Sequence, residues 1–302
     1  MNRSDSADVV RRLVTLQRIP LLAGLDPSVL VGLAEHGRDR PFRAGAAMPL
    51  QTTHMHFFTA GADCSCFASS ERGFAAYAPD LVPCLAGIGV DGEIRSRADG
   101  IVIEIAVARL FAALEDDFSL YLAIARALAD EAILAAQSLR PGSVLRGLRP
   151  EVDIAEVTSS LDLVARVRHL RSVLPFAQTR VGWLVQLARY AAELRAPDGL
   201  ELWREGDRSD NAVILLDGCV RAHIGGREGF TLRPGSMIGG ADALARRPRW
   251  FTAIADGPVL ALALPMERFL DTLEDQPDLA REVLRAFAQA LLANWTSPEA
   301  TT

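Results

Sequence analysis

Cysteine is scarce. Four in 302 residues do not make a disulfide framework, and reduced, buried thiols are the default for such a chain. No leader peptide is expected either, because Met1–Asp8 carries acids where a signal sequence needs a basic start and an apolar core. Long apolar runs are lacking. The most apolar stretch, Ile101 to Leu114, is broken by Glu104 and Arg109 and is too short to span a bilayer. These absences predict a soluble, cytoplasmic protein with no membrane association. Positive charge is not in excess: the net charge is -6, and no clustered basic face of the kind that neutralises nucleic-acid phosphates stands out. Catalytic signatures are wanting too. There is no Ser-His-Asp order, GxSxG, P-loop or metal-hydrolase spacing, and His36, His169 and His223 have no acid or nucleophile at motif distance, so no enzyme and no catalytic residue is expected.

What is present is ordinary globular composition, 50% hydrophobic and 23% charged, in a chain long enough for two domains. The two halves repeat. Asp8, Val10, Arg12, Leu13 and Leu16 fall on Asp162, Val164, Arg166, Val167 and Leu170. Gly73-Phe74 falls on Gly229-Phe230, and Ala98-Asp-Gly100 on Ala255-Asp-Gly257, in the same order and with only loop-sized drift. Each half predicts a helix (Ser6 to Gln17; Ser160 to Arg171), a second helix (Pro27 to His36; Val181 to Leu194), a β-rich stretch (Phe42 to Val107; Leu200 to Leu264) and a closing amphipathic helix (Asp117 to Gln137; Pro277 to Trp295). The acid pairs Asp116-Asp117 and Glu274-Asp275 precede the closing helices, where the helix dipole favours negative charge. The expected layout is a domain at 1–138, a Pro/Gly-punctuated linker at 139–158 and a second domain at 159–302. The fold class expected is α+β, mainly β.

The most informative segment is Met237-Ile-Gly-Gly-Ala-Asp-Ala-Leu-Ala-Arg-Arg-Pro-Arg-Trp-Phe-Thr-Ala253. Gly239 and Gly240 allow close backbone approach, the amides of Gly239, Gly240 and Ala241 open a short helix, and Arg249 can supply a counter-charge: the layout of an anion cradle. Trp250 offers a stacking face for a base. Upstream stand Pro197–Asp207, Ala212–Val220, the Gly225–Gly229 turn and Leu232-Arg-Pro-Gly235.

In that order and spacing the second half resembles the cyclic nucleotide-binding domain family of the catabolite-activator and protein-kinase regulatory-subunit type. The resemblance implies two tandem β-rolls (double-stranded, jelly-roll-like), each flanked by N- and C-terminal helices. The family's cradle reads Phe-Gly-Glu-x-Ala-Leu, followed by Pro-Arg-x-Ala. Ile238, Gly239, Pro248 and Arg249 fall on its positions, but Gly240 stands at that of the ribose-binding Glu. Losing that charge-assisted bond removes roughly 1.5–3 kcal/mol, or about one to two orders of magnitude in affinity. Asp242 lies two residues on, where a helical turn would face it elsewhere.

The first copy has Val82-Pro83-Cys84 at the cradle, and proline lacks the amide a phosphate would use. That copy therefore reads as a degenerate scaffold, and Arg95 and Arg97 have no cradle to serve. His54-Met-His56 and Cys64-Ser-Cys66 are suitable zinc ligands by type. If the two strands pair, His56 stands opposite Cys66 and Phe58 opposite Cys64, on one face. Four ligands along a flat ladder do not converge on one ion, however, and no metal is expected. No helix-turn-helix follows the last helix, so direct DNA binding is not expected. The resulting expectation is a non-enzymatic signal-transduction protein that needs no cofactor. It senses a cyclic nucleotide or other anion in the second domain and acts through an unidentified partner protein. The alternative is a ligand-free scaffold or oligomerisation module, whose apolar closing helices pair as a homo-oligomer or as an intra-chain pseudo-dimer.

Overall fold

Local signals decide where the helices begin. Pro27 at the first turn and the Asp26 carboxylate, which accepts from Ser28 N at 2.9 Å, start a helix that ends at His36 before Gly37. In the computed structural model, residues 3–65, 77–137, 142–145, 160–173, 176 and 179–295 are described. The chain forms two compact units, Met1–Glu131 with Phe287–Thr302, and Ala132–Ala286. Most of the expected 139–158 linker lies outside the described residues.

The first unit runs α1 (Arg3–Gln17), α2 (Pro27–His36), β1 (Arg38–Phe42), β2 (Ala47–Pro49), β3 (His54–Phe58), β4 (Ala62–Cys64), α3 (Leu81–Ala86), β5 (Glu93–Ser96), β6 (Gly100–Ala106), α4 (Val107–Asp116) and α5 (Phe118–Gln137), the last extending past Glu131. Its strands form two three-stranded antiparallel sheets, ordered β1-β6-β3 and β2-β5-β4. Phe42, Phe58 and Val102 of one sheet and Met48, Ala62 and Ile94 of the other make a single buried cluster. Phe42 meets Phe58 edge-on at 5.7 Å.

The second unit runs β7 (Ser143–Leu145), α6 (Leu163–Arg171), α7 (Val181–Tyr190), β8 (Ala192–Ala196), β9 (Glu201–Trp203), β10 (Asn211–Ile224), β11 (Arg227–Leu232), β12 (Met237–Ile238), α8 (Gly240–Leu244), β13 (Thr252–Pro265), α9 (Met266–Glu274) and α10 (Pro277–Trp295), the last belonging to this unit only as far as Ala286. A seven-stranded sheet follows the path β7-β11-β10-β13-β8, with β12 on β10 and β9 on β13. The long partners β10 and β13 change register at Leu215/Asp217 and again at Asp217/Cys219, which lets one strand pair bend around a core of Trp203, Val213, Leu215, Val220, Phe230 and Phe251. Gly218 permits the bend. It has φ 78, and a Cβ there would lie 2.1 Å from the Pro258 carbonyl oxygen.

Three sequence expectations change. Helix outweighs strand among the described residues, 43% against 28%, so the fold is mixed α+β and not mainly β. Within the first expected β-rich stretch α3 forms as a helix, and α4 and α9 follow directly on the two stretches, while the short helix expected at the Gly239-Gly240 segment forms as α8. The helix at Val181 stops at Tyr190 and not at Leu194, because Ala192–Ala196 pairs with β13. The strand holding His54 and His56 pairs with β6, while the one holding Cys64 pairs with β5 in the other sheet, so the His and Cys strands form no common ladder. Cys66 lies outside the described residues.

Candidate functional site

The expected cradle lies in the second unit at the entrance to α8. Gly239 is its N-cap residue in the left-handed region, φ 68 and ψ 3, a conformation that a glycine adopts without strain. It follows directly on β12, which β10 holds through Val213↔Ile238 and Ile214↔Met237. Gly240, Ala241 and Asp242 then form the first turn of the helix, whose opening amides have no partner within the helix.

Arg249 reaches this turn from the far side of the α8 loop. Its backbone is pinned by Arg249 N donating to the Asp207 carbonyl and by Gly206 N donating to the Arg249 carbonyl, both at 2.8 Å. Nη1 donates to the Gly239 carbonyl at 2.8 Å and Nη2 to the Asn211 carbonyl at 2.8 Å. The guanidinium also lies over the Trp203 ring, 4.3 Å from its centroid, an arrangement in which the ring face attracts the cation. Only 5% of the Arg249 side chain is exposed. Burial lowers its pKa, opposed chiefly by Asp242.

Asp242 is the unexpected member. Its side chain is fully buried, its Oδ2 is 3.8 Å from Arg249 Nη1, and neither carboxylate oxygen has a hydrogen-bond partner among the described residues. Burial pushes the carboxyl up to about 6, more than the attraction of Arg249 pulls it down. The separation exceeds hydrogen-bond length, so the two charges compensate each other only in part.

The geometry brings Gly239, Gly240, Ala241 and Arg249 together. Trp250 goes elsewhere: it is half-buried, stacks on Phe230 at 5.4 Å and meets Phe251 edge-on at 4.9 Å. The indole over Arg249 belongs to Trp203, which is itself fixed by Nε1 donating to the Phe251 carbonyl at 3.0 Å. Trp203 stands in the Glu-Leu-Trp-Arg motif that carries the resemblance, and the tryptophan in that motif was the available signal. The Asn211 carbonyl, a backbone group, had none.

In the first unit Val82, Pro83 and Cys84 lie on α3, all buried. Cys84 Sγ donates to the Gln51 and His54 carbonyls at 3.4 and 3.5 Å, and burial beside Asp80 pushes its thiol up. Arg95 is paired with Glu93 at 2.8 Å and Arg97 with Asp63 at 2.6 Å. His56 is spent on structure. Its backbone N donates to Asp80 Oδ1 at 3.1 Å, and its Nδ1 is 2.5 Å from Asp80 Oδ2. Burial nonetheless keeps the Asp80 carboxyl above its ordinary range. Among the described residues, no three His, Cys, Asp or Glu side chains are grouped to hold a metal ion. No helix among them is long and apolar enough to cross a membrane.

With this geometry in hand, comparison with known proteins decides the domain type. Residues 193–276 match the cyclic nucleotide-binding domain family. This cyclic nucleotide-binding domain includes the α8 turn, Asp242, Arg249 and Trp203. Among solved structures, the chain is similar to a putative cyclic nucleotide-binding protein from Geobacter metallireducens, with 24% identity over 42% of this chain and 96% of the other, at TM-score 0.38. It is also similar to the N-terminal domain of a transcriptional regulator from Streptomyces coelicolor, with 28% identity over 40% and 90%, at TM-score 0.36. The regulatory domain of Toxoplasma gondii PKA, solved with cAMP, shares 13% identity over 92% and 96%, at TM-score 0.35. No curated protein matches the chain.

Proposed function

We propose that the protein is a non-enzymatic regulatory module in which the cyclic nucleotide-binding domain takes a cyclic nucleotide or a related anion at the α8 turn and passes the event to a partner protein. The observation that carries this reading is the Arg249 guanidinium held against the Gly239 carbonyl, directly at the opening amides of α8. A phosphate there would meet helix amides and a cation together. Gly240 in place of the family's ribose carboxylate argues for weaker binding than that of an ordinary cyclic nucleotide site.

The first unit belongs to the same reading as a second, degenerate copy. Its elements follow the same order as those of the second unit, with α3 where the other has α8. Matching arginines of the repeat also both tie the first helix to the C-terminal end of the second: Arg12 Nη1 donates to the Ala34 carbonyl at 2.9 Å, inside α2, and Arg166 Nη1 to the Ala191 carbonyl at 2.8 Å, the residue that follows α7.

One set of observations favours the competing reading, a ligand-free scaffold. Both Arg249 Nη atoms are already bonded to carbonyls, and Trp250 is packed on Phe230. A ligand must then displace these contacts, and its affinity is reduced by that cost. Calorimetric titration with cyclic AMP and cyclic GMP distinguishes the two. Saturable binding that Arg249→Ala weakens at least about tenfold supports the sensor; no heat and no thermal shift with either nucleotide supports the scaffold.

A further inference from the structure

Charge left uncompensated by the fold gathers in the first unit. A cavity of about 240 Å³ is lined by His36, Arg38, His54, Glu104, Ala106 and Arg109. Strand register assembles it. Arg38 stands opposite Glu104 in the β1–β6 pairing, and His54 stands opposite Ala106 in the β3–β6 pairing, so these four share one face of the sheet. The two helices that adjoin this end of the sheet complete the wall: α2, which leads into β1, contributes His36 from its last turn, and α4, which follows β6, contributes Arg109.

Glu104 is the one acid of the lining, and it is shared. Its two oxygens are 3.8 Å from His54 Nε2 and 3.8 Å from His56 Nε2, while the other ring nitrogen of His56 is bound to Asp80. Arg38 and Arg109 have neither an ion pair nor a hydrogen bond among the described residues. Two unpaired guanidiniums facing one concavity repel each other, and the potential they create draws in an anion. All 32 basic residues of this chain are arginine and none is lysine, so both cations present the planar fork that matches phosphate and carboxylate oxygens in pairs. The volume falls below the range of roughly 300–1,000 Å³ typical for drug-sized ligands, which limits the occupant to a few carbon atoms.

We infer that this cavity is a second anion site, distinct in residues from the α8 turn, and that it takes a small phosphomonoester. The phosphate dianion rests on Arg38 and Arg109. Glu104 faces the ligand's neutral end, where it accepts from a hydroxyl and disfavours a second carboxylate.

The test is calorimetric titration of the full chain with glycerol 3-phosphate, inorganic phosphate and succinate. It compares wild type with Arg38→Ser, Arg109→Ser and, as control, Arg43→Ser just past the far end of β1. The three arginines are exposed, so the variants keep the core, and circular dichroism verifies this. The expected result is saturable binding of glycerol 3-phosphate and competition from inorganic phosphate. Each cavity substitution should weaken binding by at least about tenfold, and Arg43→Ser should leave it unchanged. No binding of any probe at millimolar concentration, equal binding by all variants, or tighter binding of succinate than of glycerol 3-phosphate would overturn the assignment.

Discussion

Gly239 and Arg249 hold one another in place, and each can be tested through the other. A methyl group at Gly239 would lie 1.8 Å from Arg249 Nη1, and the backbone there has φ 68, a conformation costing an L-residue about 1–2 kcal/mol. Gly239→Ala is expected to destabilise the chain by about 2 kcal/mol in urea titration, since the guanidinium must also give up a buried hydrogen bond. A loss under about 0.5 kcal/mol would mean that the turn shifts freely and that Arg249 is not locked. Asp242 gives a pH signature. Its carboxyl is raised from 3.8 to about 6, so the folded state prefers it protonated. Its contribution to stability is fully present below 3.8 and is lost as pH rises through about 6. That loss amounts to about 3 kcal/mol at most. Asp242→Asn keeps the shape and removes the charge, so it should be more stable than wild type at about pH 8 and indistinguishable from it at about pH 3. Equal melting temperatures at both pH values would show that Arg249 compensates the carboxylate completely.

At the scale of elements, the bend in β10 and β13 has a backbone cause and should be less forgiving than the α8 turn. The atom that a Gly218 Cβ would meet is the Pro258 carbonyl oxygen at 2.1 Å, and no side-chain motion relieves it. Gly218→Ala is therefore expected to cost about 3 kcal/mol, more than Gly239→Ala, when both are compared in one urea series. The reverse order would place the strain in α8. The start of α2 at Pro27 was legible in the sequence because its cause is local, Asp26 before Pro27, whereas α6 begins at Leu163 and not at the expected Ser160, because Asp162 caps it, its Oδ1 accepting from Ala165 N at 2.7 Å. Asp162→Ala should accordingly cost about 1 kcal/mol in the same series, and Asp162→Ser much less. Strand partners were not legible. Ala191-Ala192-Glu193-Leu194 is good helix sequence, yet Ala192–Ala196 becomes β8 because β13, far along the chain, pairs with it, and tertiary pairing overrides propensity. The partner of His56 was misread for the same reason, since β6 lies beyond a long intervening stretch. In the site, Gly239 and Arg249 were carried by a contiguous motif, whereas the Trp203 stack and the Asn211 carbonyl depend on which strands come together.

For the whole molecule, the two proposed sites draw on residues of different units, so their ligands should leave separate footprints. A ligand that binds only the folded form stabilises it by about 2.7 kcal/mol at a hundred times its Kd, and hydrogen exchange reports where that stabilisation falls. Cyclic AMP should slow exchange in residues 237–250, and glycerol 3-phosphate should slow it in residues 36–38 and 104–109. Each ligand should leave the other's segments unchanged unless the units are coupled. The helix α10 distinguishes a sensor from a pocket without output. Its residues are divided between the units, up to Ala286 in the second and from Phe287 in the first, and Leu279, Val283, Leu284, Ala288, Leu291 and Leu292 are all buried. A regulatory ligand acts only through different affinities for two states. Cyclic AMP should therefore change exchange in residues 287–293 as well as at the α8 turn, and Arg249→Ala should abolish both effects together. Protection confined to residues 237–250 would describe a domain that binds without signalling, and the regulatory reading would then fail even though the site was real.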